Sequence, residues 1–383
     1  MLLFLSLLTF PDAFFGHVIR HKDVLGTING VPKAKLKQRR LMKSGGIVGI
    51  LTLPVSKVLR NKIHQNIFES HSETKIITEL NELERMSFFP SSYAKWLRRH
   101  NVQIVPIDIY SSDDDLRLIM QSVDGVLLTG GAVPLIHSDT KIRIDDSFSN
   151  IGRVTELSFY TRKIRQIVTI AKELNGQRNN RYPIWGTCLG FEGLILAEAG
   201  LDVRFSDIDN NNFNTRLHLT EQGTQSNFVS FFPQKTIDAV QKDPIFFFNH
   251  DHAFFLSEFE KNEALSREYK VVATATTKYD KYPEPIVAVI ENRNFPFYGV
   301  QFHPEKNAFE SKVNADRSKA TLQIMDKIAE FFCEKLDTVE DDSRLVEVEQ
   351  RLQPYSVYVG SNIGVFDEVY IFQKDAVSPK DTN

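Results

Sequence analysis

The sequence predicts an α/β protein, a three-layer sandwich with a mainly parallel central sheet. Three observations predict it. Short continuous apolar runs such as Gly46-Ile47-Val48-Gly49-Ile50-Leu51 read as strands covered on both faces. Amphipathic stretches of helical period alternate with these runs. Glycine-bearing turns close two of the runs, at Gly130-Gly131 and at Gly186 to Gly190, where open α/β sheets bind ligands. The composition agrees. Of 383 residues 42% are hydrophobic and 25% charged, which supports one large domain or two medium ones. The 46 basic and 49 acidic residues leave a net charge of -3, so nucleic acid is not the expected partner. The two cysteines, Cys188 and Cys333, exclude a disulfide scaffold, and no structural disulfide remains if either has a chemical task.

The elements follow in order. Ser91 to His100 reads as a helix, with Tyr93, Trp96 and Leu97 on one side and Lys95, Arg98 and Arg99 on the other. Val102 to Ile107 is a second strand. Asp113, Asp114 and Asp115 sit where carboxylates favour a helix N-terminus. Val123 to Leu128 is a third strand, ending in Thr129-Gly130-Gly131. Thr155 to Leu174 is a long amphipathic helix. Pro183-Ile184-Trp185 is a fourth strand, and Phe191 to Ala199 the helix after it. Tyr269 to Thr276, Pro285 to Glu291 and Phe297 to Phe302 read as antiparallel or mixed strands. Ser318 to Glu334 closes the body as a helix.

The ends differ from the body. Leu2 to Phe10 is apolar apart from Ser6 and Thr9, and is too short to span a bilayer. Residues 1–16 fit a secretory signal peptide, although no Lys or Arg precedes the run; a buried N-terminal segment is the alternative. Residues 17–44 form a basic linker or pro-segment with Lys33, Lys35, Lys37, Arg39, Arg40 and Lys43. Such a run is ordinarily just solvated. The main body is placed at 45–336. Residues 337–383 hold an acidic linker and a final segment, Tyr355 to Phe372, whose Val, Tyr, Ile and Phe content predicts that it packs back. No N-x-Ser/Thr acceptor occurs.

Gly186-Thr187-Cys188-Leu189-Gly190 has the form of a nucleophile elbow, a sharp strand-to-helix turn whose glycines allow close approach. A lone cysteine is more often a small buried hydrophobe. Here the flanking glycines, the strand before and the helix after favour a nucleophile, with the helix N-terminus favouring thiolate. A thiol needs a proton acceptor. His303-Pro304-Glu305 ends the strand Tyr298 to Phe302, so Glu305 can orient the imidazole, though a satisfied turn histidine is the plain alternative.

The paired cysteine elbow and H-P-E turn resemble the class I glutamine amidotransferase-like hydrolases. The strings Ser92-Tyr93-Ala94-Lys95, Gly125 to Gly131, Trp185 to Glu192 and Tyr298 to Lys306 look like the gamma-glutamyl hydrolase family, folate-processing cysteine peptidases, from about Gly46 to Phe372. The resemblance implies a flavodoxin-like sheet and a set of roles. Cys188 would attack a gamma-glutamyl carbonyl, His303 would carry the proton, and Glu305 would support it. Backbone N–H groups of Gly131 and Leu189 would form an oxyanion hole. His252 would line the substrate pocket, with His250 as a competitor because Asn249-His250-Asp251-His252 is shifted from the family pattern. Glu192 and Tyr93 would have supporting or substrate-contact roles. The cysteine pKa is expected to be lowered by a charged imidazole and the helix terminus. No cofactor and no metal are expected. The expected partners are a small-molecule substrate, a folate polyglutamate or other gamma-glutamyl peptide, and a second copy of the chain. The expected location is the secretory route, in the lysosome or vacuole or outside the cell. A glutaminase or a gamma-glutamyl-amine hydrolase of the same superfamily is the nearest alternative, and a binding protein that lost the chemistry the next. Phe302, where many relatives carry Trp, and the long stretch from Pro134 to Gly152 depart from the family pattern.

Overall fold

The computed structural model describes residues 46–56, 59, 86–137, 156–200, 206–279, 282, 284–337, 355–361 and 366–374. The expected signal and basic segments, and nearly all of the acidic linker, lie outside the described residues. The chain divides into two units, Met1–Val123 with Thr338–Asn383, and Asp124–Asp337.

In the first unit, Ile47–Leu51 pairs in parallel with Gln103–Ile107. A second, antiparallel sheet runs in the order Tyr355–Ser361, Glu368–Lys374, Ser87–Pro90, Leu53–Pro54. It absorbs the apolar C-terminal segment. Phe89 meets Tyr370 and Phe372 with ring centroids 5.7 and 5.2 Å apart. The helix Ser91–Arg98 buries Tyr93, Trp96 and Leu97, the face expected from their spacing. The helix Asp113–Ser122 starts where Ser112 Oγ accepts the Asp115 N–H at 3.2 Å, with three aspartates in its first turn.

The second unit holds a mixed sheet in the order His218–Leu219, Tyr269–Ala275, Ile286–Asn292, Phe297–Val300, Ile184–Thr187, Gly125–Leu128. The last three strands are parallel to one another. From Phe297–Val300 outward the pairings are antiparallel. The parallel and antiparallel regions fall where the sequence predicts them. Helices cover both faces. Trp185 points one way, to Phe332 of the helix Lys319–Cys333, with ring centroids 6.0 Å apart. Gly186 faces the other way, onto Leu194 of the helix Leu189–Ala199. The helix Phe159–Gln177 packs against that one through Ile164 and Gly193.

Two helix starts differ from expectation. The long helix begins at Phe159 rather than Thr155. Ser158 Oγ accepts the Thr161 N–H at 3.2 Å, and Glu156–Leu157 pairs instead with Ile136–His137. The helix after the cysteine begins at Leu189, with no intervening loop. No helix among the described residues is long and apolar enough to cross a membrane.

Candidate active site

Register brings the candidate residues together. In the second unit Leu128 lies opposite Gly186, and Thr187 lies opposite Val300, on three neighbouring parallel strands. Gly131 stands three residues beyond Leu128, Leu189 three beyond Gly186, and His303 three beyond Val300. Gly131, the Cys188-Leu189 turn and His303 therefore emerge at the same edge of the sheet, beyond the carboxyl ends of adjacent strands.

The cysteine turn is strained. Cys188 has φ 51° and ψ -109°, a conformation an L-residue rarely adopts. Strain of this kind costs about 1–3 kcal/mol and persists only where the surroundings enforce it. The two glycines explain how. A Cβ on Gly190 would lie 2.3 Å from the Leu128 carbonyl oxygen, and one on Gly186 would lie 2.7 Å from the Gly190 carbonyl oxygen. Strand and helix can close on the turn only without those atoms. The Cys188 N–H donates to the Val300 carbonyl at 2.8 Å, which ties the turn to the strand that leads to His303.

Cys188 is buried, and its Sγ donates to the Asn249 carbonyl at 3.8 Å. The Asn249 backbone also acts on the His303 imidazole, favouring its charged form. The thiol and the imidazole thus both feel the Asn249 backbone. The His303 backbone N–H donates to the Phe247 carbonyl at 2.9 Å, so the anchors of the histidine and the cysteine lie on the strand Phe246–Phe248 and the residue directly after it. His303 Nδ1 lies 2.8 Å from Glu305 Oε1, and both residues are buried. With Nδ1–H donating to the carboxylate, Nε2 is left as the basic nitrogen.

Electrostatics overturn one expectation. Burial pushes the Cys188 thiol well up, and nearby Glu192 adds to the effect; Lys306 and the Leu189 N–H oppose it. Burial holds the His303 imidazole below its ordinary value, with Lys306 acting the same way and Glu305 against it. The resting pair is thiol and neutral imidazole rather than a preformed ion pair. The physical reason is the dry interior, which disfavours both charged forms.

Glu192 is buried, and its Oε1 accepts from Gln301 Nε2 at 2.9 Å. Burial pushes its carboxyl up to about 8. His252, the histidine expected in the pocket, is exposed. Its Nε2 lies 3.4 Å from Asp207 Oδ1, because the short strand His252–Ala253 pairs with Ser206–Asp207. His250 is the buried one. Its Nδ1 donates to the His252 carbonyl at 2.7 Å, and burial lowers its pKa to about 3, with His303 close enough to contribute. Tyr93 belongs to the first unit, where it is a core residue of its helix. Among the described residues, no group of three or more His, Cys, Asp or Glu is arranged to hold a metal ion. Cys333 is partly exposed, and burial of its thiol raises the pKa to about 12.

Three residues of this site carry no sequence signal of their own as site residues. Tyr160 lies within electrostatic reach of Cys188 and Glu192, and its Oη has no hydrogen-bond partner among the described residues. It reads as one apolar position of an amphipathic helix. Gln301 and Lys306 stand inside the strand-and-turn string, but only the fold brings them to the cysteine.

A family model described as glutamine amidotransferase class-I matches residues 158–315, a span that holds Cys188, Glu192, His250, His303 and Glu305. The chain is 24% identical over 318 residues to gamma-glutamyl hydrolase B of Dictyostelium discoideum, covering 82% of this chain and 75% of that one. It is 25% identical over 291 residues to gamma-glutamyl hydrolase of Homo sapiens, covering 74% and 83%. Gamma-glutamyl hydrolase 2 of Arabidopsis thaliana is 27% identical over 293 residues, covering 75% and 76%.

Proposed function

We propose that this chain, which carries a class-I glutamine amidotransferase domain and resembles gamma-glutamyl hydrolases over most of its length, hydrolyses gamma-glutamyl amide bonds through Cys188, with folylpoly-gamma-glutamates as the substrate class. The observation that carries the mechanism is the strained Cys188 turn, tied at 2.8 Å to the Val300 carbonyl on the strand that leads to His303, whose Nδ1 lies 2.8 Å from Glu305 Oε1.

The reaction runs in two halves. Cys188 Sγ attacks the gamma-carbonyl carbon while its proton passes to His303 Nε2. Negative charge moves onto the carbonyl oxygen, toward the N–H groups of Leu189 and Gly131, each donor contributing about 2.7–4 kcal/mol. The tetrahedral species collapses, the C–N bond breaks, and His303 returns the proton to the leaving amine. A thioester remains. Water then attacks it, His303 takes the water proton, the C–S bond breaks and the thiol is restored. Glu305 stabilises the transient imidazolium and holds the productive tautomer. Starting from thiol and neutral imidazole, the protein makes its ion pair only in the course of attack. The secretory route, ending in a lysosome, a vacuole or outside the cell, is the setting we assign to it.

The match to an amidotransferase domain favours one second reading, release of ammonia from glutamine. Glutamine, a gamma-glutamyl amine and a pentaglutamyl folate, assayed side by side with mass analysis of products, separate the two. Cleavage of the folate well ahead of glutamine is the expected result. Glutamine turnover with an intact folate would overturn the substrate assignment.

A further inference from the structure

A third charged group lies beside the reacting pair and has no part in the steps above. Lys306 follows Glu305 directly and opens the short helix Lys306–Phe309. Lysines are almost never fully buried, yet this one is 4% exposed. Its backbone N–H donates to the His303 carbonyl at 3.3 Å, so one turn carries histidine, glutamate and lysine. Its Nζ stands 5.9 Å from the centroid of the Phe247 ring, within cation–π range. Phe247 is the residue whose carbonyl holds the His303 backbone, and its ring centroid lies 6.4 Å from that of the imidazole. One aromatic ring therefore has the ammonium and the imidazole as neighbours, in a site from which bulk water is excluded.

We propose that Lys306 is an electrostatic positioning residue: its buried ammonium, held over Phe247, favours the negative charge that develops on Cys188 during attack and keeps His303 neutral between attacks. The inference rests on Cys188 and His303 being the reacting pair. Its direction follows from Coulomb's law in a low-dielectric site. A fixed positive charge stabilises thiolate and penalises imidazolium. The shifts agree, since Lys306 draws the Cys188 thiol down against burial and Glu192, and lowers His303 together with burial. The other titratable groups facing the pair are Glu192, Glu305, Tyr160 and His250, with His252 acting on His250. Neither Glu192 nor Glu305 can take the lysine's place, because a carboxylate acts on the thiol in the opposite sense. A histidine kept neutral in this way remains a base at more acidic pH.

The test compares Lys306→Met with Lys306→Arg in the full chain, each checked for folding by thermal melting. Iodoacetamide alkylation of Cys188 is followed as a function of pH by mass analysis of the peptide that holds it. This separates it from Cys333 and requires no substrate. Lys306→Met is expected to slow alkylation about tenfold at neutral pH and to move its midpoint up by about one pH unit, the two being the same change. Lys306→Arg is expected to restore most of the rate. The acid limb of kcat/KM is expected to move to higher pH in Lys306→Met. An unchanged alkylation midpoint, or equal slowing in both variants, would overturn the proposal in favour of a packing role. If Lys306→Met does not fold, Lys306→Gln carries the same comparison. A shifted alkylation midpoint without gamma-glutamyl turnover would count against the hydrolase reading alone.

Discussion

In the proposed mechanism Glu305 is the residue on which the proton path depends. Its Oε1 holds His303 Nδ1 at 2.8 Å, and its charge is the main force that favours the imidazolium. Replacing it by glutamine keeps the shape and removes the charge. Glu305→Gln is therefore expected to lower kcat by about 10²–10⁴-fold, by comparison with the analogous loss in serine triads. The acid limb of kcat/KM is expected to move down, not up, because the group that raises the His303 pKa is gone. A pH–rate profile reads both. The sharp turn at Cys188 and the contact of His303 with Glu305 were legible in the sequence because each lies inside a string whose local backbone dictates the geometry. The histidine of the Asn249 to His252 string was not. His250 and His252 stand two residues apart in an irregular segment. Only the pairing of His252–Ala253 with Ser206–Asp207 turns one outward and leaves the other buried. The depressed acidity of Cys188 was not legible either, because burial depends on neighbours such as Tyr160 and Glu192 that the turn motif does not contain.

The strand–turn–helix element from Ile184 to Ala199 holds Cys188 through close backbone contact rather than through side chains. Gly190→Ala tests this. Its Cβ would sit 2.3 Å from a main-chain oxygen that cannot swing away, so either the helix or the strand must move. The expected cost is about 3 kcal/mol, the upper end for overpacking. In a domain of this size that lowers Tm by roughly 6–12 °C, with loss of activity in the protein that still folds. A melting curve unchanged within a degree would contradict the account of the turn. At this scale most strands were legible, since continuous apolar runs mark buried parallel strands and Trp185, Val300 and Leu128 lie in such runs. Helix starts were less so. The helix expected from Thr155 starts after the Ser158 cap instead, because Glu156–Leu157 is taken up in pairing with Ile136–His137.

Over the whole molecule, buried ionisable groups should shape stability against pH. His250 is held neutral to about pH 3, below its ordinary 6.5, so the unfolded chain binds its proton first and stability is lost as pH falls from 6.5 toward 3. Glu192 is the reverse case. Its carboxyl stays protonated to about 8, above its ordinary 4.5, so stability is lost as pH rises from 4.5 toward 8. Between 4.5 and 6.5 the two slopes oppose one another. Tm is expected to be flattest there and to fall on both sides. Glu192→Gln should relieve the alkaline loss, by on the order of 4 kcal/mol at pH 8, and leave the acid loss in place. A Tm gap between the two proteins that fails to widen from pH 5 to pH 8 would argue against a buried, uncharged Glu192. The α/β class was legible at this scale from alternation of strand and helix patterns alone. The division into two units was not, because the C-terminal strands Tyr355–Ser361 and Glu368–Lys374 join the N-terminal unit across most of the chain length.

The acyl-enzyme offers the most direct test. Wild-type protein is mixed with a pentaglutamyl folate and quenched in acid within the first turnovers, and the peptide containing Cys188 is weighed. An acyl adduct on that peptide, missing from Cys188→Ser along with all cleavage, is the predicted outcome; a folded Cys188→Ser protein that still opens the gamma-glutamyl bonds at the wild-type rate would contradict it.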